Sequence, residues 1–219
     1  LEQPGRRSMP DGVAVATVIL KPRRARPFFG RHPWVLDSAI DRVDGEASAG
    51  DTVDLVTHDG TFVARGLFNP KSRIRVRLFV FDAAVPLDDE LLARRLAAAV
   101  DLRRTLGLLD PAGACRLVNS EGDDLSGLIV DRYGEFLAVQ VTALAILPRL
   151  DAICDVLEKL VPAKGMLLRG AERGLSKLEG LELADRVIRG TPPGGPVFIQ
   201  EHGLTFGIDL TEGQKTGYY

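Results

Sequence analysis

Three groups of residues in this chain have the types and spacing to do chemistry. Between Asp11 and Asp37 there is no acidic residue, while Lys21, Arg23, Arg24, Arg26, Arg31 and His32 lie inside the interval, interleaved with Phe28, Phe29 and Trp34. Basic groups neutralise phosphates and aromatic faces stack on unpaired bases, so this run is a candidate nucleic-acid surface. The same residues also suit a solvated basic loop whose aromatics belong to a core, and spacing alone does not separate the two readings. The second group, Asn119-Ser120-Glu121-Gly122-Asp123-Asp124, gathers carboxylates on a loop. They could hold a cation or act as an acid/base pair, because neighbouring carboxylates shift each other's pKa. They are equally the residues of a polar turn. The third group is Gly213-Gln214-Lys215-Thr216-Gly217-Tyr218-Tyr219, where glycines without a Cβ let backbone approach a ligand closely. It is not a phosphate-binding P-loop, since Gln214 separates Gly213 from Lys215 and no helix follows to receive a phosphate.

Elements must position these groups, and the composition allows them. The chain has 219 residues, 45% of them apolar, enough for one large domain or two ordinary ones with real cores. Its formal charge is −2, so any affinity for polyanions must come from local asymmetry rather than from the total. Cys115 and Cys154 are too few for a disulfide framework, and no CxxC or HxxxH spacing offers a zinc site, so no metal is expected. No apolar run approaches the ~20 residues of a membrane span, and the first residues lack the apolar stretch of a signal peptide. A cytoplasmic protein without membrane contacts is the default expectation. The first residue is Leu rather than Met, and residues 1–12 are expected as a loose tail.

Residues 13–20, rich in Val, Ile and Thr, predict a strand, and residues 21–33 a loop or short helix interrupted by prolines. Thr52 to Val56 and Thr61 to Gly66 predict a hairpin around Asp59-Gly60, a pair suited to a type I′ turn with positive φ at both positions. From Arg73 to Val80 the pattern alternates strictly. Ile74, Val76, Leu78 and Val80 would face a core, and Arg73, Arg75 and Arg77 would form an outward basic stripe, either a nucleic-acid track or an ordinary solvent face. Several short strands with glycine turns favour a small β-barrel up to residue ~82.

Asp88 predicts the N-cap of a helix with Leu92, Leu96, Ala99 and Leu106 on one face, a natural domain boundary. Strands are expected over residues 115–119 and 126–141, the latter broken into a hairpin at Asp131-Arg132-Tyr133-Gly134. A helix from Pro148 to Val161 carries Cys154 on its apolar stripe, and Cys115 sits in a strand beside Leu117. Neither thiol has the setting of a nucleophile. Further strands are expected over residues 166–169, 187–189 and 197–201, followed by alternation through residues 203–210. Arg173 and Lys177 have the spacing of an exposed helical turn or of phosphate contacts.

A specific resemblance runs through these segments. Gly30-Arg31-His32-Pro33-Trp34-Val35, the Gly50-Asp51 step, the Asp59-Gly60 hairpin and the run from Gly66 through Asn69-Pro70-Lys71 to Arg77 are similar to the PUA-type domain that opens a methyltransferase family. That family is the large-subunit (23S) ribosomal RNA cytosine-5 methyltransferases, which use S-adenosylmethionine. The stretch from Glu121 through Leu125-Ser126-Gly127-Leu128 to Asp131-Arg132-Tyr133 resembles the same family, with Ser126 where the family has proline. Glu201-His202-Gly203-Leu204 and the final glycine loop resemble it too, so the resemblance covers about residues 13–219.

The resemblance implies an α+β chain. Residues 13–83 would be a PUA-like RNA-binding β-barrel, residues 84–110 a linker helix, and residues 111–219 a β-α-β domain preceding a methyltransferase domain that this chain lacks. It implies ribosomal RNA as partner, with Arg26, Arg31, His32, Trp34, Asn69, Lys71, Arg73 and Arg75 facing it. Gln214, Lys215, Thr216, Gly217 and Tyr218 would face S-adenosylmethionine and substrate once the missing domain is present, and no residue of this chain would be catalytic. The chain alone is then expected to be inactive, with a free-standing RNA-binding adaptor as the alternative. Whether two chains pair as a homodimer is left open.

Overall fold

The computed structural model describes residues 14–170 and 177–211. The expected tail and the glycine loop from Gly213 to Tyr219 lie outside the described residues, as does Arg173.

The first unit is a six-stranded sheet of β1 (Ala16–Leu20), β2 (Trp34–Leu36), β3 (Ile40–Asp44), β4 (Thr52–Val56), β5 (Phe62–Phe68) and β6 (Ile74–Val80). Its strand order is β2-β6-β5-β4-β1-β3, with β1 parallel to β4 and the other pairs antiparallel. Alternate residues turn inward, and Val18, Leu20, Val35, Val53, Leu55, Val76 and Leu78 close around Phe28 of the single-turn helix α1 (Arg26–Phe29). Each such fully buried side chain stabilises the unit by roughly 1.5–3 kcal/mol. A single sheet closing on its own apolar core is what the strand pattern predicts for this part of the chain.

Sequence pattern did not reveal β2 and β3, because neither carries an apolar alternation. Both are edge strands, and β3 exposes Asp41, Arg42 and Asp44, charges that discourage further strand pairing. The hairpin at Asp59-Gly60 also differs from expectation. Gly60 has φ +89 but Asp59 stays outside the positive region, and the Gly60 N–H donates to the Thr57 carbonyl at 3.0 Å. A tight turn followed by one left-handed glycine, with the register shifting between Leu55 and Val56, replaces the two-residue type I′ turn.

The second unit is a five-stranded sheet ordered β11-β10-β9-β8-β7, made of β7 (Ala114–Asn119), β8 (Leu128–Tyr133), β9 (Phe136–Val141), β10 (Gly165–Arg169) and β11 (Arg186–Gly190). The β8–β9 turn falls at Gly134-Glu135, so Asp131 to Tyr133 remain in the strand. β9 and β10 are parallel and joined across α3 (Leu150–Leu160), the expected β-α-β crossover. A two-stranded hairpin, β12 (Val197–Glu201) with β13 (Leu204–Ile208), covers Tyr133, Ala138 and Leu167 on the sheet.

The helix expected at the boundary is α2 (Asp89–Thr105), and the Asp88 side chain caps it by accepting from the Leu91 N–H at 2.8 Å. It is more than a connector. Leu91, Leu92, Leu96, Ala99 and Val100 lie in one core with the strands of the second sheet, and Leu67, Phe79 and Val80 from the first sheet reach the same core. Leu106 falls beyond the last helical turn and is exposed.

Candidate nucleic-acid interface and the junction beneath it

The acid-free run forms an exposed lip around α1. Phe28 turns into the first core while Phe29, its neighbour, is 61% exposed. Arg23 and Arg31 hold left-handed backbone, with φ 64 and φ 61, at bends on either side of α1, a conformation that costs a non-glycine residue roughly 1–2 kcal/mol. Arg23, Arg24, Arg26 and Arg31 are exposed, and none has a carboxylate at ion-pair distance among the described residues. Lys21 donates to the Ser38 carbonyl at 3.0 Å, and the Arg31 guanidinium sits 5.8 Å from the centre of the Phe81 ring. His32 and Trp34 stand edge to face 6.1 Å apart, and the backbone N–H of Trp34 donates to His32 Nδ1 at 3.2 Å.

The expected basic stripe on β6 does not stay outward as a unit. Arg73 is exposed, and Arg75 is half-buried with its guanidinium donating to the Pro70 carbonyl. Arg77 is only 6% exposed. Its Nη1 donates to Glu121 Oε1 at 3.1 Å and to Ser126 Oγ at 3.1 Å, and its Nη2 to Glu179 Oε1 at 3.1 Å. Alternation correctly placed Arg77 opposite Val76 and Leu78, but that face meets the second unit rather than solvent.

Glu179 gathers further partners from the first unit. Ser72 Oγ donates to its Oε1 at 2.7 Å, and Asn69 Nδ2 donates to its Oε2 at 3.2 Å and to its carbonyl at 3.0 Å. Asn69 is thus a buried strut, 1% exposed, with its amide taken up inside the protein. Lys71 is exposed at its end but packs its stem on Gly180, where an added Cβ would lie 2.6 Å from the Lys71 Cδ. Gly180 also has φ +67, so a side chain is excluded twice over. On the opposite side of the junction, Arg149 Nη1 donates to the Gly50 carbonyl at 2.7 Å and Arg95 donates to the Phe79 and Asp124 carbonyls.

The carboxylate loop is a structural element of this junction. Glu121 accepts from Trp34 Nε1 at 2.8 Å as well as from Arg77 and Ser126. Burial pushes its carboxyl up, but hydrogen bonds from Ser126, Ser120 and Trp34 outweigh burial and hold it below the ordinary value. A carboxylate held down in this way is no general acid near neutrality. Asp123 accepts from Arg103 Nη1 at 2.6 Å and from the Asn119 N–H at 2.6 Å. Among the described residues no group of three or more His, Cys, Asp and Glu side chains is placed to hold a metal ion.

Both thiols are buried, and burial pushes Cys115 up and Cys154 up to about 11, the reverse of nucleophile activation. The strand-to-helix step of the second unit offers no glycine-rich cradle for S-adenosylmethionine. The β9-to-α3 connection, residues 142–149, contains no glycine, and its Ala143, Ala145 and Ile146 are buried in packing. The residues expected to face the cofactor, Gln214 to Tyr218, lie outside the described residues.

Glu179 is the junction residue that sequence reasoning passed over. It stands alone before Gly180-Leu181 with no patterned neighbour, so no local signal marked it. Phe29 belongs to the basic and aromatic run, and its exposure adds to the lip.

Residues 18–81 match the model of the PUA-like domain family. The chain is 36% identical over 202 residues to ribosomal RNA large subunit methyltransferase I of an Escherichia coli O127:H6 strain, covering 92% of this chain and 51% of that protein. The protein of the same name from Shigella dysenteriae is 35% identical, with 92% of this chain and 50% of that protein covered. The chain thus spans about half the length of the curated relatives it matches. Among solved structures, a candidate SAM-dependent methyltransferase from Streptococcus mutans superposes with a TM-score of 0.72 at 16% identity, over 93% of this chain and 50% of that one. A second, a candidate methyltransferase complexed with SAH, has the same TM-score at 17% identity. At such identities the likeness establishes the fold alone. Residues 18–81 are a PUA-like domain, in a chain homologous over 92% of its length to ribosomal RNA large subunit methyltransferase I.

Proposed function

We propose that this chain is the RNA-docking and substrate-facing portion of an S-adenosylmethionine-dependent methyltransferase acting on cytosine C5 of large-subunit ribosomal RNA. The observation that carries the reading is the lip: four exposed arginines without carboxylate partners among the described residues, beside exposed Phe29 and Trp34, on a PUA-like domain. A net charge of −2 gives no general attraction to RNA, so docking is local to this face. Arg26, Arg31 and Arg73 supply phosphate contacts at exposed positions, with Lys71 and Arg75 at the margin. Asn69 contributes by fixing the Pro70-Lys71 turn, since its Oδ1 accepts the Lys71 N–H at 3.0 Å.

Methyl transfer to a pyrimidine C5 calls for a thiolate that adds to C6 and makes C5 nucleophilic. The methyl donor supplies the electrophilic carbon when bound. Cys115 and Cys154 do not meet the thiolate requirement, so the role of the described residues is to bind and orient RNA. In a titration of labelled 23S ribosomal RNA segments, the chain is expected to bind with an affinity that falls steeply with salt, while transferring no methyl group from S-adenosylmethionine. Salt-insensitive binding would remove the docking surface from this reading, and methyl transfer by the chain alone would remove its division of labour.

A further inference from the structure

We infer that Trp34 is a stacking platform for a single unpaired RNA base, and that Glu121, reaching across from the second unit, positions it. The inference rests on the RNA-docking reading above and narrows its ligand to RNA with an unstacked base.

Trp34 is the one tryptophan of the chain and sits on β2, an edge strand whose sole neighbour in the sheet is β6. It is 39% exposed, yet its ring is held on several sides. The indole N–H donates to Glu121 Oε1 at 2.8 Å, the His32 ring meets it edge to face at 6.1 Å, and the Arg77 guanidinium carbon lies over it 5.9 Å from the ring centre. The Arg77 side chain is only 7% exposed, so it lies on the inner side of the ring, while the exposure of Trp34 leaves part of the indole open to solvent. A tryptophan used only as glue between the two units would be buried, and Trp34 is not.

The fixation matters for binding. A ring already locked in place loses little conformational freedom when a base stacks on it, and the buried cation beneath attracts the ring electrostatically. Glu121 cannot release the indole without also disturbing its bonds to Arg77 and Ser126. The ring orientation is therefore tied to the junction between the units. Arg26, Arg31 and Phe29 lie on the same lip and can take the flanking phosphates and a neighbouring base. Inside a duplex both faces of every base are already stacked, so the platform selects loops, bulges and single strands.

Because Trp34 is the sole tryptophan, its fluorescence reports on this site alone. The test titrates the chain with a short oligoadenylate and with a blunt RNA duplex of equal length, following RNA anisotropy and tryptophan fluorescence in the same samples. The oligoadenylate is expected to quench Trp34, and the duplex to bind without quenching. Trp34→Ala should weaken oligoadenylate binding about tenfold, the loss of one stacked base, while leaving the salt slope and duplex binding unchanged. Glu121→Ala should reduce both quenching and oligoadenylate affinity, whereas Glu121→Gln, which keeps an acceptor for the indole N–H, should retain them. If Glu121→Ala fails to fold, the Trp34→Ala and Glu121→Gln results decide. Oligoadenylate binding with unchanged Trp34 fluorescence would overturn the platform and leave the docking reading intact. No anisotropy change with either RNA would overturn the docking reading itself.

Discussion

Arginines of the first unit meet two opposite fates. On the lip around α1, Arg23, Arg24, Arg26 and Arg31 are exposed and have no acidic partner among the described residues. At the junction, Arg77 is buried between Glu121 and Glu179, two carboxylates supplied by the second unit. Unpaired charge on a surface is available to a polyanion at little desolvation cost, whereas charge enclosed between carboxylates contributes to how two units are held. The difference separates a binding role from a fastening role for residues that composition alone would group together.

The largest effect that would sharpen this contrast is on stability. Arg77→Ala leaves Glu179, 2% exposed, without its cation and is expected to destabilise the chain by about 3–5 kcal/mol in urea denaturation. Arg73→Ala, at an exposed position just before the same strand, should change stability by no more than about 0.5 kcal/mol. Equal effects of the two substitutions would erase the distinction between stripe and junction.

A smaller effect should appear with pH. Glu121 titrates below its ordinary value of 4.5 in the folded chain, so its contribution is fully present above that pH and is lost as pH falls through its folded-state value. Melting temperature followed from about pH 6 down to about pH 3 should therefore decline less steeply for Glu121→Gln than for the unsubstituted protein. Parallel curves would mean that Glu121 is not part of the fastening.

The smallest effect on stability is expected at the lip. The double variant Arg26→Ala, Arg31→Ala removes no ion pair among the described residues and should unfold within about 0.5 kcal/mol of the parent. Relief of the left-handed backbone at Arg31 is not expected, since alanine is no better suited to φ 61.

How much of this was legible in the sequence depended on range. The α2 cap at Asp88, the buried face of Leu92, Leu96 and Ala99, the succession of strand, helix and strand around α3 and the inert cysteines all follow from residues close together in the chain, while the β-α-β arrangement came from the family resemblance. The Asp59-Gly60 turn departs from type I′ because Asp-Gly suits more than one tight turn, and only Gly60 takes positive φ. β3 was invisible because Ile40-Asp41-Arg42-Val43-Asp44 does not alternate, and edge position rather than patterning makes it a strand. Arg77 marks the deeper limit. Alternation fixes which side of the sheet a residue faces, but Glu121 and Glu179 reach it from 44 and 102 positions away, and no local pattern announces them.

The same limit explains the carboxylate loop and Trp34. Sequence read Glu121 and Asp123 as either a turn or an acid/base pair, and their true partners, Trp34, Arg77 and Arg103, are visible only once the chain is folded. Trp34 was expected at an RNA surface from its company of basic residues. Its hydrogen bond to Glu121 adds a tie to the second unit that composition could not suggest.

The most direct test of the division between lip and junction is the salt dependence of RNA binding by the Arg26→Ala, Arg31→Ala double variant. If these arginines contact phosphates, the slope of log affinity against log salt should become shallower by about 2 with folding unchanged. A slope identical to that of the parent protein would show that the lip is a solvated surface and would contradict the proposed function at its root.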